Sequence, residues 1–182
     1  MVKVYVWDFR GSAKGWGHAS MEVGNTYISW WPRPEGQTKT GRVRLLPQIF
    51  AAHPYRDQDL GDDEVFEQRG ADQTVCLKRL DEQAIRNWWQ SFGLRRDGVM
   101  YEGPLQAWRT LEMNCSTVVA TGLTIGGGRA SGYTKSLQSI WRPNDVLAYA
   151  LAIRAADERA EAEEARKKAE NERKNTTPTG QD

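Results

Sequence analysis

The chain has 182 residues, 39% of them hydrophobic, including eight tryptophans. That suffices for one core plus an appendage without disulfide staples. The formal charge of +1 excludes a whole-chain field for nucleic acid or anionic lipid, and no stretch approaches the roughly 18 apolar residues of a membrane span.

Residues 2–9 carry β-branched and aromatic side chains and predict a first strand. Their alternation does not match the basic-then-apolar layout of a signal peptide. Residues 10–17 form a loop rich in Gly and Ser. Next come His18-Ala19-Ser20-Met21-Glu22-Val23, a Gly24-Asn25 turn, and Thr26-Tyr27-Ile28-Ser29-Trp30-Trp31. This predicts a β-hairpin, because both turn residues tolerate positive φ. In that register Val23 faces Thr26, Ser20 faces Ser29, and His18 faces Trp31. Side chains alternate across a sheet, so His18, Ser20, Glu22, Tyr27, Ser29 and Trp31 share a polar, aromatic face expected to wall a cleft. Ala19, Met21, Val23, Ile28 and Trp30 share the core face.

Residues 32–40 are a loop. The acid-rich stretch 51–67 reads as a long surface loop, its acids solvated. Residues 73–80 predict a strand in which Cys76 is a small core hydrophobe. Asp81-Glu82-Gln83 open a helix over 81–92, with acids in the first turn as the dipole favours. Ile85, Trp88, Trp89 and Phe92 form its buried stripe. Residues 114–123 predict a second helix, stopped by Gly126-Gly127-Gly128. Trp141-Arg142-Pro143 leads into a third, which Asn144 or Asp145 can cap. From Arg154 the composition turns to Ala, Glu, Arg and Lys, an exposed charged helix. The end of the chain is polar and expected to be disordered. The domain division is therefore 1–153 and a charged tail at 154–182.

The chemistry concentrates on Cys115. With Asn114 as N-cap, its sulfur lies in the first helical turn, where free N–H groups and the dipole favour a thiolate. The Cys115 backbone N–H can hold an oxyanion. On its own, such a Cys is more often packed core. His18 changes that weighting: it lies on the cleft-facing side of a strand, whereas His53 sits in a loop beside Pro54. A neutral imidazole can take the thiol proton and deliver it to a leaving group. A third group must orient it. Ser29, one diagonal step away, is the first choice, followed by Ser20, Glu22 and Asp8. No spacing suits a metal site, and the glycine run lacks the Lys and Ser/Thr of a phosphate loop. No cofactor is expected.

The order Gly17-His18-Ala19-Ser20, then Tyr27-Ile28-Ser29-Trp30-Trp31-Pro32, then Asn114-Cys115-Ser116-Thr117-Val118-Val119 and Trp141-Arg142-Pro143 resembles the circularly permuted papain-like (NlpC/P60-like) hydrolases, in which His precedes Cys. Among these it is most similar to small effectors of bacterial type VI secretion systems (EvpP/TseH-like), with lecithin-retinol acyltransferase-like enzymes as more distant cousins. The resemblance implies an α+β fold, an antiparallel sheet of about five strands packed on the Cys-bearing helix. It implies Cys115 as nucleophile, His18 as base and Ser29 in the orienting position, where many relatives carry His, Asn, Gln or an acid. It also implies cleavage of an amide bond in a peptide, protein or peptidoglycan, or acyl transfer. Trp16, Tyr27 and Trp31 are expected to line the substrate groove. The expected life history is synthesis in a bacterial cytoplasm, leaderless secretion with a secretion-apparatus partner, and action in a target cell. The competing reading is an interaction protein that keeps the fold as a scaffold and binds a host signalling protein.

Overall fold

A computed structural model of the chain describes residues 1–11, 17–31, 59–92, 114–135 and 140–176. In chain order the elements are β1 (Val2–Trp7), β2 (His18–Val23), β3 (Thr26–Ile28), α1 (Leu60–Glu67), β4 (Gln73–Leu77), α2 (Glu82–Ser91), α3 (Cys115–Ile125), a 3-10 turn (Gly128–Ser131) and α4 (Pro143–Thr176). The fold is α+β. Among the described residues the sheet has four strands rather than five, in the order β3-β2-β1-β4, each neighbouring pair antiparallel.

The hairpin register is the one its turn dictates. Val23 pairs with Thr26, Glu22 with Tyr27 and Met21 with Ile28. Gly24 takes φ +60° and Asn25 is not left-handed, as in a type II′ turn, whose twist matches the flanking strands. Alternation then sends Val2, Val4, Val6, Ala19, Met21, Val23, Ile28, Val75 and Leu77 to one face, where they join a single buried cluster. Ile85 and Trp89 of α2, Val118, Val119 and Leu123 of α3, and Val146, Tyr149, Ala150 and Ile153 of α4 complete it. The stripe on α2 thus serves the core, with Trp88 and Phe92 packed partly buried against it. Helix α3 comes close to β2 at Gly122, where a Cβ would lie 2.1 Å from Met21 Cε.

Helix α4 is continuous through Arg154, so the composition shift there marks a change in exposure within one helix. Pro143 suits the first helical position. Asp145 does not act as N-cap; its Oδ2 accepts the Arg142 N–H at 3.0 Å, the reciprocal half of a capping box. Docking extends past the apolar residues through Asp157, whose Oδ2 accepts the backbone N–H groups of Lys78 (3.0 Å) and Arg79 (3.3 Å).

Two expectations are overturned. Cys76 is exposed, not core: β4 is an edge strand whose inward positions are Val75 and Leu77, so alternation turns Cys76 outward. The acid run is not a solvated loop over its described part. Residues 60–67 are helix α1, started by a capping box in which Asp59 Oδ1 accepts Asp62 N–H and Asp62 Oδ2 accepts Asp59 N–H. Residues 51–58, including His53, lie outside the described residues. Helix α1 covers the polar face of the sheet, as its bonds to Tyr27, Ser29 and Trp31 show, so the expected open cleft wall is a buried layer.

Candidate active site

Helix α3 presents Cys115 at its first position. Asn114 makes the cap: its Oδ1 accepts Thr117 N–H at 2.9 Å, and its Nδ2 donates to Trp141 O at 3.0 Å. The carbonyl of Asn114 accepts Val118 N–H. The N–H groups of Cys115 and Ser116 are therefore left outside the helix's own hydrogen bonding. The residue is nearly buried, at 9% exposure, and its sulfur lies 4.0 Å from Ser116 Oγ.

His18 reaches the same place from the start of β2. The residue before it, Gly17, has φ +77°, and a Cβ there would lie 2.9 Å from Phe9 N. Only glycine fits that junction without strain. The imidazole is fully buried. Trp31 stacks on it at 4.1 Å between ring centroids, and Trp7 lies tilted at 5.5 Å.

The orienting group that sequence reasoning missed is Asp63, on α1. Its carboxylate is fully buried and Oδ2 lies 3.2 Å from His18 Nε2. Ser29 Oγ donates to Asp63 Oδ1 at 2.8 Å. That uses the hydroxyl proton, so His18 Nε2 donates to Ser29 Oγ at 2.9 Å. Trp31 Nε1 donates to Oδ1 at 2.7 Å, and Tyr27 Oη donates to Oδ2 at 2.6 Å. Ser20 Oγ completes the chain at 2.7 Å from Tyr27 Oη. Ser29 thus bridges His18 and Asp63. Of the other third-group candidates, Ser20 acts only through Tyr27. Glu22 binds Lys3 and Tyr5 instead, and the Asp8 backbone N–H donates to Asp72. Tyr27 and Trp31 spend their polar atoms on Asp63, while Trp16 lies outside the described residues.

With Nε2 so engaged, Nδ1 is the free nitrogen. Among the described residues it makes no aligned hydrogen bond, yet the imidazole interacts with the Cys115 sulfur by charge and by side-chain hydrogen bonding. Such loose geometry is common in resting sites. Burial opposes charge on every member. It is overcome at His18 by the Asp63 carboxylate and then by Cys115, which push the imidazole up to about 10. At Asp63 the burial penalty is outweighed by the imidazolium and by donors from His18, Tyr27 and Trp31, which hold the carboxyl near about 2. At Cys115 burial is outweighed by the His18 charge and hydrogen bond, and by the Ala19 amide and Ser116, so the thiol falls below its ordinary range. All three shifts run toward the charged forms: thiolate, imidazolium and carboxylate. Among the described residues no cluster of three or more His, Cys, Asp or Glu is placed to hold a metal.

The family model of the IcsB middle domain matches residues 53–174 of this chain. The chain belongs to the IcsB middle-domain family. That match spans α1 with Asp63 and α3 with Cys115, and starts after His18 and Ser29. The IcsB middle domain is a secreted bacterial effector domain, so membership places the chain among secreted bacterial virulence effectors. No curated protein and no solved structure matches it. Among the described residues, no helix of this effector is long and apolar enough to cross a membrane.

The acid was legible in principle. Asp59 and Asp62 have capping-box spacing, and a helix begun there puts Asp63 and Glu67 on one face.

Proposed function

We propose that this IcsB-family chain is a cysteine-dependent hydrolase of amide bonds in a peptide, protein or peptidoglycan, on a circularly permuted papain-like scaffold. The Cys115 thiolate attacks the carbonyl carbon. The developing oxyanion is held by the N–H groups of Cys115 and Ser116. As the C–N bond breaks, the proton on His18 Nδ1 passes to the departing amine, leaving an acyl-thioester. His18, now neutral, takes a proton from water, which attacks the thioester and releases acid and thiolate. Asp63 stays ionised throughout and orients the ring, with Ser29 as the bridge. Acyl transfer shares the first half of this cycle, an acceptor amine replacing the water.

The observation that carries the reading is an imidazole held at Nε2 by a buried carboxylate while its charge and hydrogen bonding depress a thiol at a helix N-terminus. The chain order His18, Asp63, Cys115 agrees with a permuted papain-like arrangement. Delivery by a type VI secretion system, contact with a component of that apparatus and action inside a target cell belong to the same proposal, which involves neither nucleic acid nor membrane insertion.

The test uses iodoacetamide on the full chain. Exposed Cys76 serves as the accessibility control. Cys115 is expected to be alkylated at pH 6, where an ordinary thiol is almost wholly protonated, and His18→Ala is expected to remove that low-pH reactivity. Cys115→Ala should lose at least about 10²-fold in hydrolysis and toxicity. Equal toxicity of wild type and Cys115→Ala sinks the hydrolase. It would favour the scaffold that binds a host signalling protein, a reading that the near-burial of Cys115 also favours.

A further inference from the structure

One carboxylate near this site is left unused. Glu67 lies one turn beyond Asp63 on α1 and is 2% exposed. Among the described residues neither of its oxygens makes an aligned hydrogen bond. Buried carboxylates ordinarily have such partners, so an orphan of this kind calls for a reason. Burial pushes the Glu67 carboxyl above the usual range and Asp63 adds to that, while the His18 charge, Arg69 with Nη1 3.5 Å from Oε2, and the Gly17 amide act the other way.

Arg69 is a divided cation. Its Nη2 donates to the Asp8 carbonyl at 2.6 Å and to Asp72 Oδ2 at 3.0 Å. Arg10 also pairs with Asp72. Arg69 therefore does not cancel Glu67 alone, and His18 on β2 is the other positive group that acts on it. Through His18 the Cys115 thiolate on α3 joins the same field.

We propose that Glu67 is a second positioning carboxylate of the Cys115–His18 site, which helps to keep His18 in its charged, acid-competent form. This rests on the Cys–His reading above and deepens it. Glu67 touches no reacting atom. Asp63 fixes the ring through directed bonds, whereas Glu67 contributes charge without direction. The Gly17–His18 junction, where only glycine fits, holds the ring in that field.

The test is an NMR titration of the His18 ring in the full chain, assigned with His18→Gln because the chain has one other histidine. Glu67→Gln removes the charge and keeps the shape. It should lower the pH at which His18 loses its proton by about 0.5–1 unit, less than Asp63→Asn, because charges near an imidazole shift it on that scale. The more alkaline limb of a bell-shaped hydrolysis profile should move with it. Glu67→Asp, which keeps the charge, should restore most of the shift even if it melts lower. A purely structural Glu67 would lower the melting temperature of both variants without moving the titration. A titration that is unchanged, or that moves upward, overturns the proposal. Cys115 alkylation unaffected by His18→Gln would instead remove the Cys–His reading, whatever Glu67 does.

Discussion

The two faces of the β1–β3 hairpin region are made from the same strands and held by different physics. On one side Val4, Val6, Ala19, Met21 and Ile28 meet three helices in a cluster with no directional requirement beyond shape. On the other, His18, Ser20, Tyr27, Ser29 and Trp31 gather under α1, and four of these five donate to or face a single carboxylate. Hydrophobic burial is non-directional and scales with area, so the first face tolerates substitutions that keep volume and polarity. The second is a hydrogen-bond network in a dry setting, where losing one partner strands the rest. Stability and chemistry should therefore separate on the first face and move together on the second.

The sharpest break is Asp63→Asn. It leaves His18, Tyr27, Ser29 and Trp31 donating to a neutral group that brings its own donors. Removing one partner of a buried pair costs about 3–5 kcal/mol. Chemical denaturation should show a loss of that order, and low-pH alkylation of Cys115 should vanish with it. On the other face, Leu123→Ala empties part of the core beneath α3, at a cost of about 2–5 kcal/mol. It should melt lower yet keep the pH profile of Cys115 alkylation. If Leu123→Ala moved that profile as far as Asp63→Asn does, the distinction between the faces would fail.

The same contrast explains what could be read from the residues alone. The apolar face was legible because period-two alternation and the Gly24-Asn25 turn fix register, and a one-residue slip would invert every side chain. The hairpin, the α2 stripe and the Asn114 cap followed from local rules, and so did the meeting of His18 with Ser29. Asp63 did not, because α1 is turned inside out: Asp63 and Glu67 are buried while Val65 is 77% exposed. Apolar periodicity cannot find a helix whose buried face is acidic, since the burial is driven by a cation on another strand. Cys76 misled for a related reason, since an apolar segment does not reveal that it forms a sheet edge with one open face.

The smallest expected effect tests the ion pair through stability. His18 is raised from about 6.5 to about 10 in the folded chain. A raised group contributes stability that is complete below its unfolded pKa and lost as pH rises through the folded one. Alone, His18 would make the fold weaken from pH ~6.5 upward, by at most about 1.4 kcal/mol per unit. Cys115 is lowered, so its contribution has the opposite sign: complete above the unfolded thiol pKa of ~8.5, and lost as pH falls. Between ~6.5 and ~8.5 the two contributions therefore run in opposite directions. Wild type should accordingly lose denaturation free energy across that window less steeply than His18 alone would dictate. Cys115→Ala removes one partner and should uncover the His18 slope, so that stability falls steadily through the same pH range. A flat profile in both proteins would mean that the imidazole carries no proton in the folded state, and the carboxylate beneath it would then have no charge to balance.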